Sequence, residues 1–293
     1  GQLARVAPII EHLAAESEGL GESEALARAQ ACQVMAEYAH HQGDLEGAVR
    51  RLERATEAFV QAGDARSALS ESNSMAASYV ELGRVAEAEA ICRRNLALGE
   101  RYNTPRATAF ARFVLAYALV YRPQGAAEQR QLAESLVSEY RAARSLRMQG
   151  ISQLLVAIAE LHLEQPVAAE VAAREAVELL AAYPGMRSWA LAIHARVLLA
   201  LGQTEQALEQ ARAAHQLLTE RGVLERGQGW PPIVLVEALL AAQQPDAARR
   251  ALVDARHRLD ERARRIQDPQ TRAQFLKLWP HARTLELAAT LLP

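Results

Sequence analysis

A pattern that returns about every forty residues most constrains what this 293-residue chain can fold into, because such self-similarity leaves only arrays of small supersecondary units. Gln42-Gly43-Asp44-Leu45-Glu46-Gly47-Ala48, followed by Ala55, is matched by Leu82-Gly83-Arg84-Val85-Ala86-Glu87-Ala88. It is matched again by Leu201-Gly202-Gln203-Thr204-Glu205-Gln206-Ala207 with Ala214, and by Gln243-Gln244-Pro245-Asp246-Ala247-Ala248 with Ala255. The turn positions Gly43, Gly83, Pro123, Glu164, Gly202 and Gln243 lie 40, 40, 41, 38 and 41 residues apart. A glycine in that slot lets a helix end in a left-handed conformation. Seven residues before each turn stands a small side chain, Ala36, Ala76, Ala116, Ala157, Ala195 or Val236. After the turn, Ala48, Ala88, Ala169, Ala207 and Ala248, and then Ala55, Ala176, Ala214 and Ala255, mark one face of a second helix. The pattern therefore predicts antiparallel helix hairpins held close by alanine, with Leu52, Leu82, Leu115, Leu198 and Leu239 filling the gaps.

Composition agrees: half the residues are hydrophobic but only 5% aromatic, and alanine, the best helix former, supplies about a fifth of the chain. Breakers mark the far ends of the hairpins at Gly19 and Gly21, Gly63-Asp64, Asn103-Thr104-Pro105, Pro184-Gly185, Gly227 to Pro232, and Asp268-Pro269. Thr104-Pro105 and Asp268-Pro269 read as N-caps followed by proline at the first helical position. The expected organisation is one all-α domain over 1–293, with repeats at 23–62, 64–103, 104–143, 146–183, 186–222 and 229–266. A truncated helix precedes them at 1–21, its Ala15 standing forty residues before Ala55, and capping helices follow at 268–293, where Phe275, Leu276, Leu285 and Leu287 cover the apolar end. Two copies are irregular. The third lacks a clean alanine pair after Pro123-Gln124-Gly125, so its second helix, at 126–142, is placed by its neighbours; in the fourth, Glu160 falls on a core slot, which one extra turn residue would cure.

The small residue, the glycine and the paired alanines seven apart resemble the tetratricopeptide (TPR) family over residues 23–265. The family repeat is about 34 residues, so each helix here gains nearly a turn, as in the sensor superhelix of the maltose-operon activator and its relatives. The closing segment, Ile266-Gln267-Asp268-Pro269 with Arg272, Phe275-Leu276, Pro280 and Arg283-Thr284-Leu285, resembles the end of large bacterial signalling proteins, although Trp279 stands where a smaller aliphatic residue is expected. In those proteins a kinase, cyclase or NTPase module precedes the array, and a start at Gly1 without methionine reads as a module cut from a longer protein. The resemblance implies a right-handed α-solenoid whose first helices line a concave binding groove.

Carried onto this chain, the family's groove positions are Gln30, Gln33, Glu37, His40 and His41, then Ser70, Asn73, Ala77, Val80 and Glu81, then Phe110, Phe113, Tyr117, Val120 and Tyr121. Later repeats add His162, Trp189, Arg196, Trp230 and Glu237. Phe110, Phe113, Tyr117 and Tyr121 fall within roughly 80° of one another around a continuous helix. Such a stripe either receives an apolar peptide helix or a hydrophobic small molecule, or fills the core. Asn73, Arg112, Arg196 and Glu237 would orient whatever binds.

Other classes of function find less support. A net charge of −2 gives no field to hold nucleic acid. The mixed-sign arginine run from Arg256 to Arg265 reads as a solvated face, and all but one of the basic residues are arginine, Lys277 being the single lysine. Glu37 and His41 have metal-ligand spacing but no third ligand. His194 reads as an interior, hydrogen-bonded histidine, and His12, His215, His257 and His281 have no companions. Cys32 and Cys92, sixty residues apart, suit a reducing compartment, hence a cytoplasmic protein. No apolar run approaches membrane-spanning length, and no phosphate loop, nucleophile elbow or triad appears. The lysines and asparagines of a TPR carboxylate clamp are missing apart from Asn73. These features predict a non-catalytic module without cofactor or metal, the sensor or scaffold of a bacterial regulator. Its partner would be a protein or peptide, self-association included, or alternatively a small hydrophobic inducer.

Overall fold

The computed structural model describes residues 2–19, 21, 24–224 and 226–292. Among them all regular structure is helical: α1 (Gln2–Glu18), α2 (Ala25–His41), α3 (Leu45–Gln61), α4 (Ala65–Glu81), α5 (Val85–Arg101), α6 (Pro105–Leu119), a 3₁₀ turn at Pro123–Gly125 and α7 (Ala126–Ala142). There follow α8 (Leu146–His162), α9 (Pro166–Leu179), α10 (Pro184–Ala200), α11 (Thr204–Arg221), α12 (Trp230–Ala241), α13 (Pro245–Arg265), α14 (Pro269–Lys277) and α15 (Trp279–Leu291). This is the helical-repeat fold that the alanine pattern predicts.

The forty-residue period has a simple origin. Helices α2 to α5 are each 17 residues long, about 25 Å, and three residues separate each from the next, so helices begin every twenty residues and pairs every forty. The three-residue turn is the same at both ends of a hairpin. At Gly43 (φ +77°) the Gly43 amide donates to the carbonyl of His40 and the Asp44 amide to that of Ala39, the paired bonds of a Schellman cap. The same pair of bonds recurs at Gly63, Gly83, Asn103, Arg144, Glu164, Gly202 and Gln243, all with positive φ. The residue after the left-handed one then starts the next helix; the side chains of Asp44 and Asp64 accept from the amides of Gly47 and Ser67.

Burial separates the two helices of a pair. Helices α8, α10 and α12 are buried nearly all round, and α10 packs on α8, α9, α11 and α12. Helices α3, α9, α11 and α13 bury one stripe and expose the rest, as amphipathic outer helices do. Every alanine assigned to the close-packing slots is buried. The irregular slots are filled by polar residues or by leucine: Asn95 stands where Ala55 does, Gln129 where Ala88 does, and Leu136 where Ala176 does. Glu160 is buried on its core slot, with Arg130 Nη1 3.5 Å from its carboxylate. α1 forms as expected but presents Ile10, Leu13 and Ala14 to α2 and α3, leaving Ala15 exposed, so its register differs by one residue from the alanine count.

Packing divides the chain into two compact units, residues 1–118 with 265–274, and residues 119–264 with 275–293. In the first unit, residues 265–268 lie against the α2–α3 turn. Arg265 Nη1 donates to the Gln42 carbonyl at 2.8 Å, and the Glu46 carboxylate accepts from the amides of Gln267 and Asp268 at 2.8 and 3.1 Å, ahead of α14. Asp268 caps α14 as predicted, accepting from the Thr271 amide at 2.7 Å, whereas the Thr104 hydroxyl turns back to the Gly99 carbonyl. In the second unit Phe275, Leu278, His281 and Leu287 are buried in the capping region.

Candidate functional site

In the first unit the expected groove positions separate by helix. On α2, Gln30, Gln33, Glu37 and His41 are exposed and His40 is half-buried. On α4, Ser70 is half-buried, while Asn73, Ala77, Val80 and Glu81 are buried. Gln33 donates to the buried Glu71 carboxylate at 2.8 Å; burial pushes that carboxyl up to about 7, the Gln33 bond opposes this, and the charge of Glu37 adds to it. Asn73 is engaged in packing. Its amide donates to the Ala107 carbonyl at 3.0 Å and its oxygen accepts from Asn95 at 2.9 Å, while Asn95 also donates to Ser72 at 2.9 Å.

On α6, Phe110, Phe113 and Tyr117 are stacked in sequence, with centroids 6.1 and 6.5 Å apart and planes within 12°. Phe113 and Tyr117 are buried, Phe110 and Arg112 half-buried, and the Tyr117 hydroxyl donates to the Glu81 carboxylate. The helix stops at Leu119, so Tyr121, expected on the same helical stripe, lies in the following turn and belongs to the second unit. The reason is local: Pro123 has no amide to extend α6 and disfavours helix in the residue before it.

The second unit brings several groove candidates from different repeats together. Trp230, at the start of α12, is buried, its ring centroid 6.5 Å from that of Tyr121 and 4.8 Å from that of Trp279 of α15. The Arg196 guanidinium, reaching from α10, lies 3.9 Å from the Trp279 centroid and 5.3 Å from that of Trp230. Burial pulls its pKa down, Glu237 opposes this, and Arg283 adds to the lowering. Glu237 on α12 accepts from Arg283 Nε at 2.9 Å. Arg196, Leu199, Ala200, Glu237, Leu240 and Arg283 line an open cleft of about 390 Å³. His162, at the end of α8, is held neutral, its pKa lowered to about 4 by burial and by the Arg196 charge. Trp189 is fully buried on α10 and packs against Gly227, where a Cβ would stand 2.5 Å from the indole.

Trp279 and Arg283 complete this cluster and were absent from the groove positions, because they come from the cap rather than from a repeat. The available signal was Trp279 itself, a large ring where an aliphatic residue was expected. His281 likewise has companions that spacing did not suggest. It is buried, with Nδ1 2.7 Å from the Phe275 carbonyl and Nε2 3.3 Å from Arg262; burial, aided by the Arg262 charge, lowers its pKa to about 3. His194 is more loosely placed than expected, its Nε2 lying 3.7 Å from Glu170 and both ring nitrogens buried without a hydrogen bond.

Among the described residues no three His, Cys, Asp or Glu side chains gather to hold a metal, and no helix is long and apolar enough to cross a membrane. Cys32 and Cys92 are buried and unpaired.

Helix length, turn chemistry and alanine packing together define a TPR-like helical-repeat protein. No family model and no curated protein matches the sequence. Solved structures resemble the fold. A Rap protein crystallised with Competence and Sporulation Factor is 14% identical at a TM-score of 0.66, over 97% of this chain and 80% of that one. The apo form of RapI is 12% identical at a TM-score of 0.59, over 89% and 97% of the two chains. A signal-transduction ATPase of the STAND type with a tetratricopeptide-repeat sensor, from Pyrococcus horikoshii, is 17% identical at a TM-score of 0.53, over 92% of this chain but 43% of that one. At these identities the likeness defines the fold.

Proposed function

We propose that the chain is a non-catalytic, cytoplasmic peptide- or protein-binding module of a larger regulatory protein. The observation that carries this reading is that Arg196 and Glu237, from groove slots of two successive repeats, line one open cleft in the second unit, with the Arg196 guanidinium against the cluster of Trp230, Trp279 and Tyr121. Stacked aromatics beside an arginine are the side chains that dominate binding energy at protein interfaces. The open form of the cleft favours an extended ligand over an enclosed small molecule. The similar Rap structure was solved with Competence and Sporulation Factor bound, which supports a ligand-receiving role for this type of array. The two buried free cysteines fit a reducing compartment.

The purified chain is to be probed on an array of random octapeptides, with selected peptides re-measured in solution. Dissociation constants of about 10 μM or tighter are expected for a related set of sequences. Hydrogen exchange should slow in α10, α12 and α15 when such a peptide binds. An array on which nothing binds better than about 1 mM, or protection confined to the outer helices, overturns the proposal.

A further inference from the structure

We propose that the cleft formed by α10, α12 and α15 is a carboxylate subsite, in which Arg196 receives the carboxylate of a bound peptide. This rests on the peptide-binding reading above and names the group that the site would hold.

Arg196 is the odd member of the cleft. Glu237 is already neutralised by Arg283 Nε at 2.9 Å, and Arg283 is held a second time, by Glu286 at 2.9 Å. Arg196 has no ion pair and no hydrogen bond among the described residues; its contacts are the faces of Trp279 and Trp230. A guanidinium over an indole ring is held by the ring's face and not by its N–H donors, which are left for an acceptor. Taking a cation out of water is costly, the nearby Glu237 charge is already shared with Arg283, and a ligand carboxylate would offset that cost while making a bidentate, charge-assisted pair.

The surroundings narrow the ligand further. Leu199, Ala200 and Leu240 make apolar walls, and about 390 Å³ is room for one or two residues of a peptide. One unpaired arginine, with the Arg283–Glu237 pair beside it, matches a singly charged, planar carboxylate; a phosphate dianion would meet greater repulsion from the Glu237 carboxylate. The site also differs from the lysine–asparagine clamp, of whose residues the groove positions offer only Asn73.

Trp230 and Trp279 give the assay. N-acetyl-Leu-Leu as free acid, its C-terminal amide, and N-acetyl-Leu-Asp-amide are titrated into the full chain while tryptophan fluorescence is followed. The free acid should bind about tenfold more tightly than the amide, the margin of a charged hydrogen-bonded pair. Arg196→Gln should abolish that preference, with folding checked by circular dichroism. Arg196→Lys keeps the positive charge but not the planar fork of donors, and should weaken the preference for the acid about threefold. It keeps the test decisive if Arg196→Gln fails to fold. Tight binding of the Leu-Asp-amide alone supports the subsite and assigns the carboxylate to a side chain rather than a chain end. Equal affinities for acid and amide overturn the subsite while leaving peptide binding intact. Absence of any fluorescence response up to about 10 mM overturns it as well, and together with a blank peptide array it removes both readings.

Discussion

Two single residues that break the alanine pattern show what the pattern excludes. Asn95 occupies an alanine slot in α5, and its amide bridges Ser72 and Asn73, which in turn holds the Ala107 carbonyl across to α6. Restoring the repeat with Asn95→Ala should therefore destabilise, by about 1–3 kcal/mol, because buried partners lose their hydrogen bond; a urea titration measures this. Gln129→Ala should do the same to the Leu155 carbonyl, which receives the Gln129 amide at 3.0 Å. The opposite sign is expected at the turns. Glu164 and Gln243 adopt φ of 58° and 55°, where a side chain costs about 1–2 kcal/mol and glycine nothing. After subtracting the greater freedom of an unfolded glycine, Gln243→Gly should stabilise by about 0.5–1 kcal/mol, read as a raised melting temperature. These residues also show what the sequence leaves hidden. Gly43 and Gly83 announce their turns, but Arg144 does not, because its left-handed conformation is imposed by the packing of α7 and α8 and not by its own chemistry.

Helix faces were legible where a slot repeats and obscure where an element ends or lies outside the array. The ring stripe of α6 is such a case: periodicity puts Phe110, Phe113 and Tyr117 on one face, but it does not say what covers that face, nor that the helix stops at Leu119. Phe113 and Tyr117 turn out to be buried. Phe113→Ala should then cost about 3–5 kcal/mol, the toll of an emptied aromatic site, measured by denaturant titration. A loss below about 1 kcal/mol would mean that the ring is not part of the core. Binding is therefore better tested on α10 and α12, where Arg196 and Glu237 border open space. Arg196 and Glu237 hold the same groove slot in the fifth and sixth repeats, but their meeting with Tyr121, His162 and Trp230 depends on how the helices pack and was not written in that slot. Trp279 and Arg283 were not readable either, since a capping helix has no repeat to be compared with.

At the scale of the whole molecule, the two units should answer pH in opposite directions. Glu71 in the first unit has a folded pKa of about 7 against an ordinary 4.5. The folded state holds the proton more tightly, so this contribution to stability is complete below pH 4.5 and is lost as pH rises through 7. His162 and His281 in the second unit have folded values of about 4 and 3 against 6.5. Their contribution is complete above pH 6.5 and is lost as pH falls towards those values. Hydrogen-exchange protection, corrected for the intrinsic rate, should rise in α4 and fall in α15 between pH 8 and 5. Glu71→Gln should flatten the trend in α4 alone, and parallel trends in both helices would contradict the assignment. The shared three-residue turn carries a last consequence, for how such a chain could change length over time. Since these turns share one cap and helices α2 to α5 start every twenty residues, forty residues can be gained or lost between two such turns with their caps preserved and every surviving helix still running in its old direction. Gaps among distant relatives should therefore cluster at the left-handed residues and come in multiples of forty.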